Sequence, residues 1–134
     1  MSKNKIDLIQ QKLERVLIAL KEMIDKPMQD DRSNIDACIQ RFEFSIELFW
    51  KFLKRILEDR GLELIYPKDV IRAAYQGKLI DQEDIWLDML KDRNMASHTY
   101  DEELADEIYT HITTYYQLLW SSFQKNKNNS VRQQ

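Results

Sequence analysis

Four side chains within one short run of the chain carry groups that together could act on a phosphate ester. Arg93, Asn94, His98 and Tyr100 all belong to the run Arg-Asn-Met-Ala-Ser-His-Thr-Tyr. An arginine presents a fork of donors that fits a phosphate, and a histidine can accept or donate a proton near neutral pH. Metal-free cleavage of RNA requires such groups, because one must deprotonate a ribose 2′-hydroxyl and another must stabilise charge on the phosphorane.

The surrounding pattern predicts that these residues lie at a corner between two helices. Arg93 falls at the end of the fourth predicted helix, and His98 falls just before the fifth. The first turn of a helix favours an anion because it has unpaired backbone donors and the positive end of the helix dipole. The spacing alone is weakly specific, since a histidine in a surface turn is more often inert than catalytic. Tyr100, expected at the first position of the fifth helix, is by the same measure an ordinary exposed tyrosine.

Hydrophobic periodicity and end signals define the first two helices. The first is predicted from about Lys5 to Asp25, and Pro27 lies in the polar link that follows it. Ser33 is the predicted N-cap of the second helix, which runs from about Asn34 to Arg60 and is closed by Gly61.

The other three helices are marked mainly by their capping residues. Pro67 fits the first position of a short third helix that ends at Gly77, and Asp81 is the predicted cap of the fourth. Thr99 and Glu102 form a predicted capping box for the fifth helix. The apolar face of that helix comprises Leu104, Ile108, Ile112, Tyr115, Leu119 and Phe123.

Composition and helix order favour an all-α fold. The chain has only two glycines and two prolines, with 32% charged and 43% hydrophobic residues, which suits long amphipathic helices. We therefore predict an antiparallel helical bundle of about five helices, three long and two short. Residues 1–124 form its single domain. Residues 125–134 form a polar tail that we expect to be disordered, because it has nothing to bury.

The second helix is apolar on two sides, which allows two interpretations. Its first stripe consists of Ile35, Cys38, Phe42, Ser45, Phe49, Phe52 and Ile56. A second stripe, about one position round the helix, consists of Ile39, Ile46, Trp50, Leu53 and Leu57. A helix of this kind is buried on two sides. Either it is the central helix of the bundle, or its second side faces another chain in a homodimer.

Charge and hydropathy limit the classes of partner. The net charge is −3, but residues 1–124 carry 17 basic against 23 acidic residues, a net −6. A body this acidic argues against broad binding along a nucleic-acid backbone and leaves room for one small phosphate site. The most apolar stretch, residues 42–57, contains five charged residues and cannot span a membrane. With no signal-peptide core at the N-terminus, we expect a cytoplasmic protein.

Other chemically interesting residues have structural interpretations. Cys38, the only cysteine, excludes an intrachain disulfide and a cysteine-based zinc cluster, and it is expected in the core. His111 is expected to be packed and hydrogen-bonded, and with His98 it supplies too few ligands for a metal site. We predict neither a metal nor a cofactor. Core or interface packing is expected for the three tryptophans, Trp50, Trp86 and Trp120.

The run from Arg93 to Tyr100 resembles the signature of a known superfamily. Its pattern Arg-Asn-x3-His-x-Tyr, followed by the acidic helix start at 101–109, is similar to the HEPN motif. More narrowly, it resembles the nucleotidyltransferase substrate-binding protein family, small bacterial helical proteins paired with a minimal nucleotidyltransferase (MNT). The likeness extends to residues 42–51, the Pro67 helix and the Trp86 helix.

This resemblance implies a role for each residue of the motif. HEPN proteins are helical bundles that form homodimers in which two copies of the motif line one cleft, and many are metal-independent ribonucleases, including toxins of toxin–antitoxin pairs. By this resemblance His98 is the general acid or base, Arg93 is the phosphate clamp, and Asn94 orients one of them. Tyr100 matches the tyrosine that the MNT partner adenylylates to silence the toxin.

Three functions are consistent with the sequence. The protein is a metal-independent endoribonuclease toxin neutralised by an MNT, a non-catalytic substrate-binding subunit of a two-component nucleotidyltransferase, or a helical dimer with an adaptor role. The intact motif favours the first function over the third. It does not separate the first from the second, because both would hold RNA or a nucleotide in the same arginine–histidine cleft.

Overall fold

A computed structural model describes residues 2–27, 32–98 and 100–127, and these residues form the predicted all-α helical bundle. Three helices are long and two are short: α1 (Ser2–Asp25), α2 (Ser33–Asp59), α3 (Pro67–Gln76), α4 (Glu83–Met95) and α5 (Glu102–Asn126). A single turn of 3₁₀ helix, Ala96–His98, follows α4. No helix within the described ranges is long and apolar enough to cross a membrane, which agrees with the expectation for residues 42–57.

Helix α2 lies at the centre of the bundle. It packs against all four other helices and against the 3₁₀ turn. Ile39, Ile46, Leu53 and Leu57, from the second apolar stripe, are at most 2% exposed, and only Trp50 of that stripe is half-buried. Of the two interpretations of α2, the central helix is therefore correct. Because the second stripe is covered within one chain, its apolar surface no longer supports the prediction of a homodimer.

The core also contains the side chains for which a structural role was expected. Trp86 and Cys38 are both fully buried, and Trp86 packs edge-on against Phe49 with ring centroids 4.8 Å apart. Burial raises the pKa of the Cys38 thiol, which keeps it protonated and unreactive at neutral pH. Trp120 is half-buried at the edge of the core.

The end of α2 follows the sequence prediction closely. Gly61 has a φ of 89°, in the left-handed region that favours glycine. Its N–H donates to the Glu58 carbonyl at 3.0 Å, and the N–H of Leu62 donates to the Leu57 carbonyl at 2.9 Å. This pair of bonds is a Schellman motif, and it turns the chain from α2 towards α3.

Two helix starts differ from the sequence prediction by one residue. The N-cap of α2 is Arg32 and not Ser33, and the N-cap of α4 is Gln82 and not Asp81. Both capping residues have left-handed backbone angles, and neither uses its side chain as a cap. Asp81 instead faces the end of α5, where its carboxylate lies 3.9 Å from Lys125 Nζ.

Helix α5 extends two residues past residue 124, into the segment predicted to be a polar tail. Helix α5 continues to Asn126, whose side chain is only 1% exposed. The Asn126 amide donates to the carbonyls of Leu79 and Ser122, each at 2.8 Å. Asn126 thus ties the end of α5 to the loop after α3. The polar sequence around Asn126 gives no indication of this tertiary contact. The rest of the predicted tail, residues 128–134, lies outside the described residues.

We predict that Asn126→Ala lowers the free energy of unfolding by about 1–3 kcal/mol, because it removes a buried donor from the Leu79 carbonyl. Urea denaturation followed by circular dichroism measures the change. Gln124→Ala, an exposed position two residues earlier, is the matched control and should change stability by less than about 0.5 kcal/mol. Equal stability of both variants would show that the contacts of Asn126 do not stabilise the fold.

Candidate active site

The four motif side chains lie at one corner of the bundle, here called the Arg/His corner (Arg93, Asn94, His98 and Tyr100). Arg93 and Asn94 belong to the last turn of α4, His98 ends the 3₁₀ turn, and Tyr100 lies in the link to α5. The buried methyl group of Ala96, 4% exposed, anchors the 3₁₀ turn to the core. This anchoring brings the end of α4 and the start of α5 together, as the sequence predicts.

Arg93 is held from two sides. Its Nη2 forms an ion pair with Glu47 Oε1 on α2, and its Nη1 donates to Asn94 Oδ1 at 3.2 Å. The Arg93 side chain remains about 30% exposed, so part of the guanidinium faces solvent. Since a guanidinium has five N–H donors, a phosphate can still bind while both of these contacts are kept.

Glu47 is a site residue that the sequence analysis did not identify. Besides Arg93 it accepts hydrogen bonds from Trp50 Nε1 at 3.2 Å and from Lys51 Nζ at 3.1 Å. Burial raises the pKa of Glu47, but the hydrogen bonds from Trp50 and Lys51 and the charge of Arg93 outweigh burial, so the pKa lies below its ordinary value. Glu47 is therefore ionised at neutral pH. A charged residue within the apolar stretch of α2 was the sequence feature that could have indicated a paired carboxylate at this position.

His98 and Tyr100 contact each other. His98 Nδ1 lies 3.4 Å from the Tyr100 hydroxyl, and the two rings meet edge to face with centroids 5.9 Å apart. Both side chains are exposed, Tyr100 to 83%. With Nδ1 turned towards the phenol, Nε2 is the imidazole nitrogen that is left to face a substrate. Among the described contacts, none joins the His98–Tyr100 pair to the Arg93–Asn94 pair.

The start of α5 differs from the prediction. The helix begins at Glu102, and its N-cap is Asp101, whose carboxylate accepts a hydrogen bond from the Leu104 N–H at 3.3 Å. Tyr100 therefore precedes the cap and is not the first residue of the helix. The predicted capping partner Thr99 lies outside the described residues.

This start also changes the expected anion site. The first turn of α5 carries Asp101 as its cap, followed by Glu102 and Glu103. These carboxylates already complement the positive end of the helix dipole and repel a second anion. The first turn of α5 is therefore a weaker support for phosphate binding than its position suggested, and Arg93 is the cationic group of the corner.

The second histidine belongs to a separate cluster. Asp92 Oδ2 lies 2.9 Å from His111 Nδ1 and accepts a hydrogen bond from the Tyr115 hydroxyl at 2.6 Å. Burial and the hydrogen bond to Asp92 raise the pKa of Tyr115 well above its ordinary value. The predicted hydrogen-bonding contact of His111 is thus present, although its side chain is 42% exposed and therefore less packed than expected. The cluster ties α4 to α5 directly beside Arg93.

Two open grooves flank the end of α4. The first, of about 510 Å³, lies between α4 and α5 and contains the Asp92–His111–Tyr115 cluster. The second, of about 540 Å³, lies between the start of α3 and the end of α4 and includes Arg93 and Asn94 in its wall. Over residues 2–27, 32–98 and 100–127, no group of three or more His, Cys, Asp or Glu side chains is placed to hold a metal ion.

The bundle and its Arg/His corner together define an HEPN-like helical domain. A family model described as "Nucleotidyltransferase substrate binding protein like" matches residues 9–129. The chain belongs to this nucleotidyltransferase substrate-binding protein family, as the resemblance predicts.

Individual relatives agree with this assignment. The Haemophilus influenzae protein named "Probable ribonuclease HepT" is 37% identical in an alignment of 94 positions. The alignment covers 66% of this chain and 63% of that protein, which is less than two thirds of its length. The crystal structure of a Thermus thermophilus protein superposes with a TM-score of 0.79 at 35% identity and covers 87% of this chain and 99% of its own. A Haemophilus influenzae structure with the fold of a substrate-binding domain of a nucleotidyltransferase has a TM-score of 0.67 at 27% identity, covering 92% and 97%.

We predict that Glu47→Gln destabilises the protein by about 0.5–1 kcal/mol at pH 7, because it breaks a partly exposed ion pair. The pKa of Glu47 is lowered in the folded state, so its contribution is present above its ordinary pKa, near 4.5, and is lost as the pH falls below that value. The stability difference between wild type and variant should therefore shrink between pH 5 and pH 3 in urea denaturation.

Glu43, one turn earlier on α2, provides the matched control. Burial raises the pKa of Glu43, and the charge of Arg93 only partly offsets that rise. Because its ionised form is disfavoured, Glu43→Gln should cost no stability at pH 7. A loss for Glu43→Gln equal to that for Glu47→Gln would show that Glu47 is not the specific anchor of Arg93.

Proposed function

We propose that this protein is the toxin of an MNT–HEPN pair, a metal-independent endoribonuclease that its nucleotidyltransferase partner silences by adenylylating Tyr100. The Arg/His corner carries the proposal, because it combines an exposed imidazole with a pre-oriented guanidinium. His98 has its Nδ1 beside the Tyr100 hydroxyl, and Arg93 is fixed by Glu47 and Asn94. The 37% identity to the protein named "Probable ribonuclease HepT" supports the same function.

The proposed cleavage uses the ribose as its own nucleophile. His98 Nε2 accepts the proton of a 2′-hydroxyl, the 2′-oxygen bonds to phosphorus, and the bond from phosphorus to the 5′-oxygen breaks. Arg93 stabilises the negative charge that builds up on the phosphorane oxygens. The products are a 2′,3′-cyclic phosphate and a 5′-hydroxyl, which takes its proton from an imidazolium or from water.

A homodimer forms part of this proposal for a chemical reason. One Arg/His corner offers one imidazole, whereas cleavage uses a base for the 2′-hydroxyl and an acid for the leaving 5′-oxygen. Two corners facing one cleft would supply both groups. The surface available for such pairing includes the exposed side chain of Met95.

We predict that the protein cleaves RNA in the presence of EDTA and leaves 2′,3′-cyclic phosphate ends. His98→Ala and Arg93→Ala should each reduce the cleavage rate roughly 100-fold or more, the usual effect of losing an acid–base or charge-stabilising group. Gel assays on labelled RNA measure the rate, and circular dichroism checks the fold of each variant.

The other histidine is the control for this experiment. His111 contacts Asp92 and lies outside the Arg/His corner, so His111→Ala should keep cleavage activity at temperatures where the variant stays folded. Cleavage that survives both corner substitutions, or that depends on a divalent metal, would show that the corner is not the active site.

Adenylylation at Tyr100 would block the same corner. The phenol oxygen attacks the α-phosphorus of ATP held by the partner, pyrophosphate leaves, and the phenol proton passes to a base of the partner enzyme. At 83% exposure Tyr100 is accessible to such an enzyme. The attached AMP would place a bulky anion beside His98, in the corner where the RNA phosphate would bind.

We predict that incubation with the MNT partner, ATP and magnesium adds one or more AMP groups per chain, detected by intact-mass spectrometry. Tyr100→Phe should abolish the gain while keeping the fold. Tyr66→Phe, which alters another exposed tyrosine at 66% exposure, should leave the gain unchanged. A label on Tyr109, Tyr115 or Tyr116 would mean that the modified tyrosine is wrongly assigned.

The second candidate function is a non-catalytic substrate-binding subunit of a two-component nucleotidyltransferase. The family description and the nucleotidyltransferase substrate-binding fold of one structural relative favour it. In that case the mass of this chain stays unchanged in the same incubation, EDTA-resistant cleavage is absent, and the partner transfers nucleotide to a separate acceptor only when this chain is present.

A further inference from the structure

The groove between α3 and α4 has an unusual lining for so acidic a protein. Its wall contains three basic side chains and one acidic one, a local net charge of +2 in a chain of net charge −3. The eight lining residues are Tyr66, Pro67, Lys68, Asp69, Arg72, Leu90, Arg93 and Asn94. Arg93 and Asn94 belong both to the wall of the groove and to the Arg/His corner, so the groove opens directly onto the corner.

The basic groups of the groove are available to a ligand. Lys68 and Arg72 are exposed, and in the described part of the chain neither is paired with an acid. They lie four residues apart on α3, so their Cα atoms are about 6 Å apart along the helix axis. Together with Arg93 on α4, they form a basic strip that ends at the corner.

An aromatic ring stands at the mouth of the same groove. Tyr66, the N-cap of α3, is 66% exposed and lines the groove together with the buried Leu90. Its backbone is extended and leads into Pro67, which fixes the start of the helix. A rigid element therefore presents this ring to solvent, whereas Tyr115 is buried and stacks on Phe42.

From this arrangement we infer that the α3–α4 groove binds single-stranded RNA next to the scissile phosphate, with Lys68 and Arg72 contacting phosphates and Tyr66 stacking on a base. Proteins that bind single strands combine basic grooves with aromatic side chains in this way. The inference rests on the proposed function for the choice of RNA as ligand. It adds residues outside the motif and assigns the direction in which the strand leaves the corner.

The acidic surroundings favour a short strand over a duplex. Asp69 lies in the groove, and Glu43 and Glu47 lie beside Arg93, so phosphates away from the basic strip meet repulsion. A volume of about 540 Å³ accommodates one or two nucleotides rather than a helix. The groove therefore selects flexible, unpaired RNA.

Binding can be measured without cleavage on a fluorescent 10-nucleotide 2′-O-methyl RNA, which lacks the attacking hydroxyl. The double variant Lys68→Ala/Arg72→Ala should raise Kd roughly tenfold at low salt, and it should reduce the slope of log K against log salt by about 1.4, or 0.7 for each lost phosphate contact. Tyr66→Ala should raise Kd at least about fivefold, and Tyr66→Phe should bind like wild type.

Matched controls come from the same chain. Lys12→Ala/Arg15→Ala removes one exposed lysine and one exposed arginine from α1, away from the groove lining, and Tyr75→Ala removes an exposed tyrosine at the far end of α3. Both controls should bind within about twofold of wild type. Equal weakening in the controls, unchanged binding in the groove variants, or no binding by the wild type would overturn the inference.

The outcome is separable from that of the ribonuclease proposal. If the protein binds the methylated RNA through the groove but cleaves no RNA, the groove is an RNA-binding site and the ribonuclease proposal is wrong. If the protein cleaves RNA through His98 but binds the methylated RNA equally well without Lys68 and Arg72, the ribonuclease proposal stands and the groove is not the RNA-binding site.

Discussion

Helix α2 has to bury apolar side chains on two sides, and the other helices are arranged around that requirement. Each large apolar side chain removed from water stabilises the fold by about 1.5–3 kcal/mol, so neither stripe can be left exposed without a large loss. The four surrounding helices and the 3₁₀ turn all contact α2. Three of its charged residues, Glu43, Glu47 and Lys51, follow one another at four-residue intervals along the remaining strip. The last turn of α4 packs beside that strip.

The position of Arg93 follows from this packing. Because α4 docks on α2, the guanidinium meets Glu47, and the carboxylate is in turn held by Trp50 and Lys51. An ion pair of this kind contributes little net stability, since desolvation offsets much of the attraction. Its larger effect is geometric: it removes freedom from a long side chain before any ligand arrives, which lowers the entropic cost of binding.

The sequence predicted the elements well and the contacts between them poorly. Periodicity located five helices, and Gly61 and Pro67 marked their ends, because these signals are local. Asn126 is buried against Leu79, which lies 47 positions earlier in the chain, and Glu47 pairs with Arg93, which lies 46 positions later. No local pattern reveals contacts over such distances. The second stripe of α2 was ambiguous for the same reason, since burial within a chain and burial between chains require the same apolar residues.

The Arg/His corner was predicted as a set of residues, but not as a geometry. The start of α5 shows why. The rules for an N-cap allow two choices here: Thr99 paired with Glu102 in a capping box, or Asp101 on its own. The structure has Asp101 as the cap, which leaves Tyr100 outside the helix. The α3–α4 groove was invisible in the sequence, because its basic residues come from one helix and its Arg93 from another.

The contact between His98 and Tyr100 has a consequence for the tautomer of the imidazole. A phenol can donate a hydrogen bond to Nδ1 or accept one from it, so the neutral ring can carry its hydrogen on either nitrogen. When the phenol donates, the hydrogen resides on Nε2; when it accepts, Nε2 is left with a lone pair. A tyrosine whose oxygen is esterified can only accept. Esterification would thus leave this contact compatible with only one tautomer, the one that carries its hydrogen on Nδ1, and the attached phosphate would add a negative charge beside the ring.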